Sequence, residues 1–184
     1  MADILLLSGP PASGKTTVAA LFSERYDRMA HVDVNALWRL RSAGRFEPWS
    51  TDQEAAHQRK QAVRQATSLA RDFVAESVGV IIEDVVTPET LPLYLEVLQP
   101  TRVRLHLVRL TPSLEVCLAR NQGRQRDRTW PTWLRKVHAQ LLAAGDFGGI
   151  AVDSSNLTSV QTADRLQVLT TTGVSLMRPV LRPS

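Results

Sequence analysis

A chain of 184 residues with 43% apolar content has the size of one globular domain, whose single core can bury about 70% of the surface its unfolded form exposes. Its charge of +4 arises from 22 basic against 18 acidic residues, a mild excess that a solvated basic surface explains and that argues against a dedicated nucleic-acid binder. With one cysteine, Cys117, the chain cannot be a disulfide-stapled scaffold, and a packing role in a reducing cytoplasm is the expectation.

Apolar runs of strand length alternate with longer segments of helical period, which predicts an α/β domain with a parallel sheet covered by helices. The first run, residues 4–7, is too short for a signal-peptide core or a membrane span, so a protein without membrane association is expected. A helix follows over residues 14–26, with Val18, Leu21 and Phe22 on its buried face, and then a second strand over 30–33. The next helix is expected over 52–77. Thr51 and Glu54 offer it a capping box, and Val63, Ala66, Ala70 and Phe73 form its apolar stripe. Its other face carries His57, Arg59, Lys60, Arg64 and Arg71, a pattern that suits either a solvated face or an anion site. A third strand is expected over 78–84 and a fourth over 102–110. The fourth alternates Val103, Leu105 and Leu107 with Arg102, Arg104 and His106, which predicts a half-exposed strand nearer an edge than the first and third. Helices over 88–98, 112–121 and 131–144 are each opened by a proline in the first turn. A short fifth strand over 150–152 and a helix over 159–169 complete a single domain spanning 1–170. Residues 171–184 lack periodicity and read as a loosely held tail.

Residues 9–16, Gly-Pro-Pro-Ala-Ser-Gly-Lys-Thr, match the phosphate-loop pattern G-x-x-x-x-G-K-[ST], set after a hydrophobic strand and at the start of a helix. Gly9 and Gly14 permit backbone angles that turn successive amides toward a triphosphate, and the helix N-terminus adds partial positive charge. Pro10 and Pro11 lack amide hydrogens, so the donors are expected from Ala12 through Thr17, including Ser13. In this arrangement Lys15 bridges the β- and γ-phosphates of MgATP, the Thr16 hydroxyl ligates Mg²⁺, and Thr17 contacts the α-phosphate.

In an open α/β sheet the ligand binds beyond the carboxyl ends of the strands. Asp33 ends the second strand and Glu83 and Asp84 end the third. Carboxylates there can deprotonate an acceptor hydroxyl or hold water on Mg²⁺. Asp33 can equally cap the next helix, and the strand pleat turns only one of Glu83 and Asp84 toward the cradle. Arg120, Arg124, Arg126 and Arg128 cluster where a helix ends at Gly123. They form either a charged loop or a lid, at about residues 121–132, that neutralises transition-state charge. Trp130 and Trp133 either pack that lid or stack on a substrate. Trp38 and Trp49, flanking Arg39, Arg41 and Arg45, either pack or line an acceptor pocket.

This order of features resembles the small P-loop kinases, particularly the chloramphenicol phosphotransferase-like and zeta-toxin-like enzymes. Residues 31–33 are similar to their strand ending in a general-base aspartate, and residues 80–85 to their third strand. Residues 118–121 with Arg124 are similar to the start of their lid, and residues 151–155, including Ser154, to the turn beside the adenine. The chain departs from related kinases where Asp33-Val34-Asn35 replaces Asp-x-Asp and where Glu83 stands for an aspartate. The resemblance implies a three-layer fold with sheet order 2-3-1-4-5. It implies transfer of the ATP γ-phosphoryl group to a hydroxyl of a small molecule, with Asp33 as base and Lys15, Arg120 and Arg124 stabilising charge. A nucleoside or nucleotide acceptor is the second reading, and an ATPase switch acting on a protein or nucleic acid is the third. Either a monomer or a homodimer is compatible with these features.

Overall fold

The computed structural model describes residues 3–47, 50–101, 103–123 and 130–177. In chain order its elements are β1 (Ile4–Ser8), α1 (Lys15–Ser23), β2 (Met29–Asp33), α2 (Val34–Arg39), α3 (Gln53–Ala75), β3 (Gly79–Glu83), α4 (Leu91–Leu98), β4 (Leu105–Leu110), α5 (Leu114–Gln122), α6 (Pro131–Ala143), β5 (Ile150–Val152) and α7 (Ser159–Thr171). The five strands form one sheet in the order β2-β3-β1-β4-β5, with every pairing parallel. This is the order implied by the family resemblance.

The pleat of β1 divides the core in two. Ile4 and Leu6 face α3 and α4, where they join Val80, Ile82, Val63, Ala66, Ala70 and Tyr94. Leu5 and Leu7 face α1 and α7, joining Ile81, Val18, Phe22, Ala163 and Leu166. A central strand covered on both faces has no polar side to show, which explains the unbroken Ile-Leu-Leu-Leu run. A satellite cluster of Ala12, Cys117 and Leu134 joins the loop after β1 to α5 and α6. Cys117 is wholly buried there, as a packing role requires.

Several boundaries differ from the sequence expectation for local reasons. The N-cap of α3 is Asp52 rather than Thr51, and its carboxylate accepts from the Glu54 amide at 2.8 Å. The apolar stripe of α3 continues from Ala70 to Val74, which packs on the core, and leaves Phe73 39% exposed. The turn of α4 begins at Leu91, because Thr87 and Thr90 bond one another across the preceding turn. Helix α2, which periodicity did not predict, starts directly after Asp33.

The fourth strand is not half exposed. All six residues of β4 are buried, including His106 and Arg109. β5 has three residues and pairs only with 108–110, so the first half of β4 takes another partner. That partner is the chain after α7, which was expected to be loose. Leu107 N donates to Ser175 O at 3.0 Å, and Met177 N to Leu105 O at 2.8 Å. His106 Nδ1 lies 2.9 Å from Ser175 Oγ, and burial lowers the His106 pKa below its ordinary value, which favours the neutral ring. Arg109 donates to Asp146 at 2.9 Å and stacks 4.6 Å from the centroid of the Phe147 ring. Among the described residues no helix is long and apolar enough to cross a membrane.

Entry into β5 depends on Gly149. Its φ is +71°, and an added Cβ would stand 2.5 Å from both Leu107 Cγ and Leu107 O. Gly149→Ala should therefore combine left-handed strain with overpacking, costing about 3 kcal/mol and lowering Tm by about 10 °C, as read by thermal unfolding. A Tm within a degree or two of the parent would show that this contact does not control β5.

Candidate active site

The phosphate-loop segment turns sharply at the end of β1. At Gly9 (φ +154°) a Cβ would lie 2.8 Å from Leu110 O and 2.8 Å from Ser13 Oγ, so only glycine lets the loop pass β4. Ala12 then takes a left-handed conformation (φ 63°) and Gly14 another (φ 95°). Gly14 is the N-cap of α1. The Ser13 amide is used inside the loop, donating to Pro10 O at 3.2 Å. At the start of α1 the first-turn amides have no intrahelical acceptor and the dipole is positive. Lys15 Nζ folds back to donate to Gly9 O at 2.8 Å and Pro10 O at 3.0 Å, poised over the loop it would leave for a phosphate.

The two core faces decide which acids meet this loop. Ile81 packs toward α1, so Glu83, two residues on, points the same way and Asp84 points the other. Thr16 Oγ1 donates to Glu83 Oε1 at 2.8 Å. Asp84 accepts instead from the Tyr94 hydroxyl at 2.7 Å in the α3–α4 layer. Burial first, and then the Asp84 carboxylate, raise the Tyr94 pKa well above its ordinary value, so the hydroxyl stays a donor. Of the two candidate metal-site acids, the structure brings Glu83 to Thr16 and gives Asp84 a structural partner.

Asp33 stands in register with Glu83 on the adjacent parallel strand. It does cap α2, accepting from Asn35 N at 2.8 Å through Oδ1, while Oδ2 lies 3.4 Å from Arg39. Burial, and next the Glu83 carboxylate, raise the Asp33 pKa above its usual 3.8. His31, two residues earlier and on the same face, brings Nε2 to 3.7 Å from Glu83 Oε1. Its position follows from strand alternation alone, though no motif marks it. Buried polar atoms without a hydrogen-bond partner include Glu83 Oε2, His31 Nε2, Ser13 Oγ and Ser154 Oγ, and all four belong to segments bordering the loop. Such atoms are costly unless a ligand supplies partners.

Two clefts are lined by described residues. One, about 220 Å³, is lined by Ser13, Gly14, Thr17, Arg120, Leu157 and Thr162 among others. Arg120 closes it, donating to Ser13 O at 3.0 Å and Ser154 O at 3.4 Å. Ser154 itself is 2% exposed and lies beneath Arg120. The cleft wall comes from Leu157, Ser159 and Thr162 around the start of α7. Sequence reasoning missed these three; their one signal is the Thr158–Gln161 capping box, which marks where the helix begins. The second cleft, about 570 Å³, lies between the segments 50–51 and 85–90, α3 and α6. It contains Trp133, which packs edge-on against Trp130, so Trp133 lines a cavity as well as packing. Trp38 packs against the α3 core, and Arg41 bonds Gln61. Trp49, Arg124, Arg126 and Arg128 lie outside the described residues, as does the middle of the lid expected at 121–132. Its ends are the last turn of α5 and the first of α6.

Thr16 and Glu83 supply hard oxygen donors of the kind Mg²⁺ takes, with Glu83 Oε2 buried and unpartnered. Among the described residues no three His, Cys, Asp or Glu side chains converge. The donor set therefore fits a Mg²⁺ that is held by one or two protein oxygens and completed by phosphate and water.

A five-stranded parallel sheet in this order, with a phosphate loop between its central strand and α1, defines the P-loop kinase fold. The chain belongs to the AAA domain family, whose model matches residues 4–145. Solved structures with this fold include the tunicamycin resistance protein of Deinococcus radiodurans, 18% identical over 97% of this chain and 100% of that chain, with a TM-score of 0.64. A sugar kinase from Janibacter sp. is 18% identical over 95% of this chain and 96% of that one, with a TM-score of 0.71. Shikimate kinase from Acinetobacter baumannii is 17% identical over 94% and 95%, with a TM-score of 0.63. No curated protein matches the chain.

The Asp33 shift has a sign that can be checked. Because the native carboxyl keeps its proton above 3.8, the folded state binds more protons than the unfolded one just above that pH, and stability falls as pH rises through the native pKa. Asp33→Asn keeps the cap but removes the charge. Urea midpoints from pH 4 to 7 should therefore fall less steeply for the variant, which at pH 7 should be as stable as the parent or more so. Parallel curves would refute the raised Asp33 pKa.

Proposed function

We propose that this chain transfers the γ-phosphoryl group of ATP to a hydroxyl of a small molecule. The observation that carries this reading is the in-register pair Asp33 and Glu83, with Glu83 bonded to the loop's Thr16 at 2.8 Å. One carboxylate is thus committed to the phosphate side, while the next lies one strand spacing away, about 4.8 Å, on the acceptor side. The fold neighbours named as sugar kinase and shikimate kinase support the same chemistry. The similarity of residues 31–33 and 80–85 to the chloramphenicol phosphotransferase-like and zeta-toxin-like enzymes supports a small-molecule acceptor.

The first-turn amides of α1 hold the phosphates, and the adenosine lies in the cleft beneath Arg120. Lys15 exchanges the Gly9 and Pro10 carbonyls for β- and γ-phosphate oxygens. Thr16 and Glu83 would hold Mg²⁺, which would supply neutralising charge on the phosphates. Asp33 Oδ2 accepts the proton of the acceptor hydroxyl as that oxygen bonds to the γ-phosphorus. The bond from the γ-phosphorus to the β-γ bridging oxygen breaks, and its electron pair leaves with ADP. A carboxylate whose pKa is raised is a better base than an ordinary one. Arg120, from the rim of the nucleotide cleft, and Arg124 neutralise the charge that develops on the transferred group. The lone buried thiol, Cys117, suits a cytoplasmic setting.

Asp33→Asn should lower kcat by about 10²–10⁴-fold while the KM for ATP stays within about twofold, in a coupled ADP-release assay with an acceptor found by screening sugars, hydroxyl-bearing antibiotics, amino acids and nucleosides. Unchanged turnover would remove Asp33 from the base role. Stimulation by RNA or protein instead of small hydroxyl compounds would favour an ATPase switch.

A further inference from the structure

The larger cleft has a chemical character that narrows the acceptor. Its floor is the segment after β3, fixed relative to the phosphate loop because Ser8 Oγ, one residue before Gly9, bonds Val86 O at 3.2 Å and accepts from Val86 N at 3.1 Å. Val85, two residues beyond Glu83, and Val137 of α6 give it apolar wall, and Trp133 adds an aromatic one. Its far side is pinned by Gln58, which is 2% exposed and bonds both Gly44 O at 2.8 Å and Phe46 N at 3.1 Å. That holds the chain leading to Ser50 and Thr51 against α3.

Two cations line this cavity, Arg59 on α3 and Lys136 on α6. Neither makes a hydrogen bond or ion pair among the described residues. Arg59 is half-buried, and its charge reaches the Tyr94 hydroxyl. The acids nearby are otherwise engaged. Asp84 accepts from Tyr94, and Glu89, on the cleft rim, bonds Thr87, which holds its carboxyl below the ordinary range. A guanidinium partly removed from water with no counter-ion among the described residues is unfavourable, and a ligand anion supplies such a partner.

Building on the phosphotransfer reading, we propose that the acceptor is an anionic hydroxy compound, a carboxylate or a phosphate monoester, whose charged group is held between Arg59 and Lys136. Its hydroxyl then extends toward Asp33 and its carbon frame rests on Trp133, Val85 and Val137. A cavity of about 570 Å³ falls within the range of metabolite-sized sites. The anion stands on the acceptor side of the loop, apart from the nucleotide cleft under Arg120.

The test uses matched pairs in the ADP-release assay: hydroxy acids against their methyl esters, and phosphate monoesters against the parent alcohols. The charged member of at least one pair should stimulate, and which pair does so identifies carboxylate or phosphate. Arg59→Gln should raise the acceptor KM about tenfold or more, the loss expected for one charge-assisted contact. The KM for ATP and the thermal midpoint should stay unchanged, and Lys136→Gln, more exposed, should act less. Equal stimulation by neutral members, or acceptor KM values untouched in both variants, would overturn the anion site and leave phosphotransfer standing. Failure of every pair, charged and neutral, while other hydroxyl compounds are phosphorylated would likewise overturn the anion site alone. Failure of all hydroxyl compounds would overturn both.

Discussion

No side chain fits between the end of β1 and the Leu110 backbone of β4, and the rest of the site depends on that exclusion at Gly9. A carbon 2.8 Å from a carbonyl oxygen is not tolerated, so the chain bends tightly there, and α1 begins directly above the sheet. Because β1 is central, the loop opens between β3 and β4. The same bend places Thr16 within 2.8 Å of Glu83, and Ser8 ties the loop's base to Val86. One steric constraint thereby sets the positions of the phosphate loop, the Thr16 and Glu83 oxygens and the segment after β3 that borders the second cleft.

Electrostatic strain is concentrated at this point. Glu83 and Asp84 are adjacent and almost wholly buried, yet the pleat sends them into different layers. Asp84 is matched by a buried hydroxyl and serves the fold. Glu83 keeps one oxygen without a partner and stands beside a second carboxylate, Asp33. Burial and the neighbouring Glu83 carboxylate raise the proton affinity of Asp33, which lowers the stability of the resting protein at neutral pH. The adjacent carboxylates suit a cation and a proton-donating acceptor, which the proposed phosphoryl transfer would supply. A functional site that disobeys the rules the core follows is common where ligands complete the structure.

The helices beyond the sheet couple the two clefts. Ala12, Cys117 and Leu134 form a small apolar contact that joins the loop to both α5 and α6. Through it the helix bearing Arg120 and the helix bearing Trp133 and Lys136 rest on the phosphate loop itself.

Sequence alone determined the α/β class, the phosphate loop and the elements on either side of it, because glycine spacing, strand-length apolar runs and helical periodicity are local properties of the chain. It also marked Asp33 and the Glu83-Asp84 pair by their position at strand ends. It left the choice between Glu83 and Asp84 open, since that choice depends on which face of β3 meets α1, and only packing against Ile81 and Tyr94 decides it. It misjudged β4, because the alternation of Arg104 and His106 with leucines looks like exposure when the cover, residues 175–177, lies some seventy residues away in the chain. The shared cavity of Arg59 and Lys136 was equally invisible. On α3 Arg59 is one of several charges on a polar face, and only the tertiary fold brings it to the cleft that α6 also lines. Local pattern names the chemistry available to each segment, and the tertiary fold decides which segments share a cavity.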